Sequence, residues 1–107
     1  MSKAFVVITT VEKKEDGERL ARRILEHELA ACVQILPSMT SVYRWQGSIQ
    51  QATESLILIK TTGAAYSQLE AIIKEDHPYQ TPEIVAIPIE IGSDDYLTWL
   101  YDSVGFK

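Results

Sequence analysis

The four prolines of this chain limit its fold more than any other residues do. Each fixes its own φ and has no N–H to give to a helix or a sheet. Pro78 and Pro82 also push His77 and Thr81 out of helical geometry, so a helix arriving from Ala64 must end near His77. Pro37 and Pro88 fall in runs that otherwise read as strands, and a proline in a strand belongs at a sheet edge or a bulge. The chain must therefore place Pro37 and Pro88 at sheet edges or bulges and join a helix to a strand through a stiff connector, residues 77–83.

Periodicity fills in the rest. Residues 4–11 are small, β-branched or aromatic and predict a strand covered on both faces. After a polar loop with Asp16 as helix cap, Leu20, Ala21, Ile24, Leu25 and Leu29 recur at helical spacing up to Ala30. Arg19, Arg22, Arg23 and Glu26 lie off that stripe, as a solvent face should. Residues 32–47 predict a long strand, Gly47 a turn, and 48–61 an antiparallel return whose apolar centre at 56–59 places it inside the sheet. A second helix follows, with Tyr66, Leu69, Ile72 and Ile73 inward, then a strand over 84–91. Ser93, Asp94 and Asp95 open a last helix that buries Tyr96, Leu97, Leu100, Tyr101 and Val104. This order is the split βαβ, or ferredoxin-like, arrangement: an α+β fold with an antiparallel sheet, a long hairpin between strands two and three, and an extra C-terminal helix. Its usual sheet order places strands two and four at the edges, and these are the strands that carry Pro37 and Pro88.

A chain of 107 residues is expected to form one domain, 1–107, with its own core. Its 46% apolar and 23% charged residues are those of a folded globular protein. Net charge is −5, and the only basic cluster is Arg19, Arg22 and Arg23, which speaks against nucleic acid as a partner. The single Cys32 excludes an internal disulfide framework, and the first apolar run ends by Thr9, too short for a secretory signal or a membrane span. A cytoplasmic location is the expectation.

Sixteen extended residues reach on the order of 50 Å against a domain diameter of roughly 35 Å, so the hairpin should overhang its core. Its tip carries Tyr43 and Trp45 on one face, with Arg44 and Gln46 on the other. Either the strand is bulged and these rings cover the sheet, or a closed symmetric oligomer receives them; the second is the expectation. The soft or borderline metal ligands are Cys32, His27, His77, Met1 and Met39, without CxxC, HxH or HExxH spacing, so no internal zinc site is expected. His77 beside Asp76 offers a nitrogen and a carboxylate to copper or zinc; its competing role is to end a helix as a cation at the carbonyl end. Cys32 reads as a small buried hydrophobe, His27 as solvated, and no phosphate loop is present. Lys60, a candidate partner for Glu54, forms with Tyr79, Gln80 and Glu83 a candidate small-ligand pocket; the alternative is that these groups tie down the connector.

Ala30, Ala31, Cys32 and Val33; the 41–47 segment Ser41, Val42, Tyr43, Arg44, Trp45, Gln46 and Gly47; Glu54 with residues 58–62; residues 77–84; and Tyr96, Leu97 and Trp99 together resemble the CutA divalent-cation tolerance proteins. The resemblance runs from about Phe5 to Trp99. It implies a ferredoxin-like homotrimer, similar in architecture to the nitrogen-regulatory PII proteins, with a role in tolerance of copper and other divalent metals and no enzymatic activity. It further implies copper contacts at Thr9, Asp76 and His77, although some relatives have cysteines where this chain has Thr9 and Ile72. Copper or another divalent ion is thus expected as a ligand, not a required cofactor. The alternative function is a signalling or adaptor module that binds a small ligand or a protein partner at clefts between subunits.

Overall fold

The computed structural model describes residues 3–105; the candidate ligand Met1 lies outside them. The elements are β1 (Ala4–Val11), α1 (Lys14–Glu26), β2 (Cys32–Trp45), β3 (Ser48–Thr62), α2 (Tyr66–Asp76), β4 (Val85–Pro88) and α3 (Asp94–Ser103). The sheet order is β2-β3-β1-β4, antiparallel throughout. This is the expected α+β, ferredoxin-like arrangement with its extra helix, and Pro37 and Pro88 both lie on edge strands.

Side-chain alternation gives the sheet two different faces. Val7, Val11, Ile57 and Ile59 occupy one face and are sealed beneath Leu20 and Ile24 of α1 and Leu69 and Ile73 of α2. Gly17 allows α1 to come this close, since a Cβ there would lie 3.2 Å from Ile57 Cδ1. The opposite face carries Val6, Ile8, Leu56 and Leu58, flanked by Leu36 on β2 and by Val85 and Ile87 on β4. Leu36, Val85 and Ile87 are 61%, 47% and 51% exposed, so an apolar stripe crosses this face uncovered.

The long hairpin overhangs as expected, in a molecule 44 Å along its longest axis and 21 Å along its shortest. It is also bulged. The register steps from Leu36 opposite Leu56 to Met39 opposite Glu54, one extra residue on β2 at Pro37 and Ser38, with Ser38 at φ 65°. Gln46 and Gly47 close the tip at φ 50° and 82°, the left-handed pair that a two-residue I′ hairpin requires. A Cβ on Gly47 would meet nothing within 4 Å, so Gly47→Ala isolates backbone strain from crowding. Chemical denaturation should show a loss of about 1 kcal/mol.

Three expected boundaries shift. Helix α1 ends at Glu26, not Ala30, and Asp16 is not its cap: Lys13 stands there without a side-chain bond, while Asp16 in the first turn accepts from Arg19 at 2.8 Å. The chain leaves α1 through Glu28 at φ 56°, with the amide of Leu29 on the Ile24 carbonyl and that of Glu28 on the Leu25 carbonyl, a Schellman closure built without glycine. Leu29 and Ala30 are still buried, which is why the apolar pattern outruns the helix. Strand β4 spans four residues instead of 84–91; Ile89 adds one backbone bond to Ala4, and Ile91 is 91% exposed. Ser93 caps α3 as expected, accepting from the Tyr96 amide at 3.2 Å, but Tyr96 itself is 41% exposed.

Candidate functional site

The site is built around the point where α2 stops. His77 follows its last turn with extended backbone, as the next proline demands, and its ring turns back under the sheet. Nε2 lies 2.7 Å from the Thr10 carbonyl, and Nδ1 lies 3.1 Å from the Tyr79 amide. An amide N–H can only donate and a carbonyl only accept, so Nδ1 carries the lone pair and Nε2 the proton. The imidazole is therefore a buried strut between β1 and the connector. This is not the cation at a helix end that the sequence offered as one reading.

Tyr79 packs on that ring, with centroids 4.8 Å apart, and its hydroxyl donates to Glu54 Oε2 at 2.7 Å. Glu54 is 8% exposed. Burial pushes its carboxyl up, but hydrogen bonds from Ser41, Tyr79 and Thr10 outweigh this and hold it below the usual carboxylate range. Burial and the same carboxylate push the Tyr79 phenol well above its ordinary value. Around this pair, between the overhanging hairpin and the connector, lies a cleft of about 600 Å³. Glu12, Glu54 and Glu83 line it together with Tyr43, Trp45 and Tyr79.

The expected pocket residues are divided by the fold. Tyr79, Gln80 and Glu83 share the cleft. Lys60 does not: it sits six residues along β3 from Glu54, about 20 Å away, and donates to Gln34 Oε1 at 2.7 Å. There it lies 4.0 Å from Cys32 Sγ and over the Tyr96 ring. Cys32 is half-buried, and His27 is exposed with Nδ1 at 2.9 Å from the Arg23 carbonyl.

The proposed metal contacts are each engaged elsewhere. Thr9 is fully buried on the helix-covered face, Asp76 pairs with Arg23, and both nitrogens of His77 are bonded to backbone. Arg23 of α1 thus pairs with Asp76 and, at 2.8 Å, with Glu75 at the end of α2, and both carboxylates push its guanidinium pKa up. Among the described residues no three His, Cys, Asp or Glu side chains are grouped so as to hold a metal ion. The residues present do not fit a metal within one chain. Thr9 Oγ1 has no hydrogen-bond partner among the described residues, and a buried hydroxyl left unpaired is costly. Thr9→Val should therefore raise the unfolding free energy by about 1 kcal/mol in chemical denaturation.

The sequence did not single out Glu12, and it offered Lys60 as the partner of Glu54. For Glu54 the signal was an acid on a strand heading into the apolar run 56–59. No helix among the described residues is long and apolar enough to cross a membrane.

Residues 5–103 match the family described as CutA1 divalent ion tolerance protein. The divalent-cation tolerance protein CutA of Thermus thermophilus is 46% identical over 100 residues, 94% of this chain and 97% of that protein. A solved structure of the divalent cation tolerance protein from Thermus thermophilus superposes with a TM-score of 0.93 at 45% identity, covering 95% of this chain and 99% of the other. The chloroplastic protein CutA of Arabidopsis thaliana is 43% identical over 94% of this chain, which spans 55% of that longer protein. With sequence and fold matching over nearly its whole length, this chain belongs to the CutA1 divalent ion tolerance protein family.

Proposed function

We propose that this chain serves tolerance of divalent metal ions as a cytoplasmic homotrimer without enzymatic turnover. The link to metal tolerance is supported by the relatives, which are named for it. Self-association is carried by one observation, the uncovered apolar stripe from Leu36 across the sheet to Ile87. Contiguous apolar surface on an open sheet face is removed from water most simply by another copy, and rotational symmetry closes such an assembly. Three copies are chosen on the family resemblance. The cytoplasmic location is part of this reading, although two plant relatives are named chloroplastic and an archaeal one periplasmic.

In this reading copper or another divalent ion is a weakly held ligand and not a resident cofactor. His77 and Asp76 reach an ion only by giving up Tyr79 and Arg23. The absence of turnover is supported by His77, whose basic nitrogen is occupied by an amide and so is not free to take a proton from a substrate.

Sedimentation at micromolar concentration should give three times the chain mass, with and without a chelator, and Ile87→Glu should dissociate it. A monomeric parent sinks the assembly. Copper titrated into the parent and His77→Gln should give equally weak isotherms; a tight site lost with His77 overturns the metal part alone.

A further inference from the structure

We infer that the cleft beneath the hairpin binds a small organic cation carrying two or more amino groups, the chemical class of diamines and polyamines. The cleft lining contains three carboxylates, Glu12, Glu54 and Glu83, and no lysine, arginine or histidine among the described residues. With Lys60 placed elsewhere, the site has the wrong sign for the small anion that a lysine-containing pocket would accept.

The same space is lined by the rings of Tyr43, Trp45 and Tyr79. Ring faces attract ammonium groups, more strongly where water is partly excluded. A volume of about 600 Å³ suits a molecule rather than an ion. A bare divalent cation needs several oxygens converging on one point, and the described acids are not grouped that way. An extended cation can instead meet separated carboxylates in turn and lay its methylene segments on the rings. Glu54 is fixed by Tyr79 and keeps its charge, while Glu12 and Glu83 are exposed and able to adjust. The apolar stripe proposed for assembly lies further along the same sheet face, so each variant is also sedimented to show that a change in binding is not a change in assembly.

The probe is spermidine, titrated at low salt into the 107-residue chain carrying Trp99→Phe, which leaves Trp45 as its sole indole. Its emission should change saturably, and added salt should weaken the effect. Glu12→Gln and Glu83→Gln, both at exposed positions, should each weaken binding about three- to tenfold. Glu26→Gln, on the solvent face of α1, should leave it unchanged. The inference is overturned if no saturable change occurs up to about 10 mM. It is equally overturned if Glu26→Gln weakens binding as much as Glu83→Gln, because the attraction then belongs to an acidic protein at large. Neither result bears on the sedimentation experiment.

Discussion

His77→Ala is expected to lower the free energy of unfolding by about 3 kcal/mol, and by the same amount whether or not a chelator is present. The side chain is 9% exposed and fills the space between the end of α2 and β1. Truncation leaves a cavity and removes the partner of two backbone groups, the buried Thr10 carbonyl and the partly buried Tyr79 amide. It also removes the ring on which Tyr79 packs. His77→Gln should recover part of the loss, because its amide nitrogen can take the place of Nε2 and donate to Thr10, whereas nothing replaces Nδ1. Chemical denaturation of the three proteins gives the ranking. If alanine costs little, or if metal removal erases the difference between parent and variant, the ring is not the strut described here.

The sequence and structure agree where a residue's own covalent limits decide the outcome. Pro37 and Pro88 cannot donate to a ladder, and both lie on edge strands, Pro37 at a bulge as well. Pro78 ends α2 just as directly. The cleft was legible only in part, because it depends on register. The extra residue at Pro37 and Ser38 reverses the alternation of β2, so that beyond it Ser41, Tyr43 and Trp45 share a face with Glu54. Without that bulge the same rings would point to the other side of the sheet. Nothing in the local pattern shows which way they turn, since Ser38 at φ 65° breaks no composition rule that Pro37 had not already broken. Lys60 and Glu54 illustrate the same point: they share one strand and one face, but the distance along β3 keeps them apart. Helix α1 was read too long for a different reason. Leu29 and Ala30 are buried by the turn that follows the helix, and periodicity reports burial, not hydrogen bonding.

Glu54→Ala is expected to cost about 3 kcal/mol and to change how stability depends on pH. The carboxylate accepts from the Tyr79 hydroxyl at 2.7 Å and has its charged form favoured by the hydroxyls of Ser41 and Thr10, so its removal strands the Tyr79 donor and leaves a cavity on the cleft floor. Its pKa is lower in the folded chain than in the unfolded one. Its contribution is therefore complete above the unfolded carboxyl value of about 4.3 and is lost as pH falls through the folded value. Tyr79 has the opposite sign. Its phenol pKa is raised on folding, so its contribution is complete below the unfolded value of about 10 and is lost only as pH climbs through the higher folded value. In the parent, denaturation midpoints should fall off on the acid side below about pH 4 and on the alkaline side above about pH 10. Glu54→Ala should lose its part of the acid limb along with the overall stability. Tyr79→Phe keeps the ring on His77 but removes the donor, so it should remove the alkaline contribution and return Glu54 closer to an ordinary carboxylate. A variant pair whose pH profiles simply run parallel to the parent's would mean that these two groups are neighbours without being coupled.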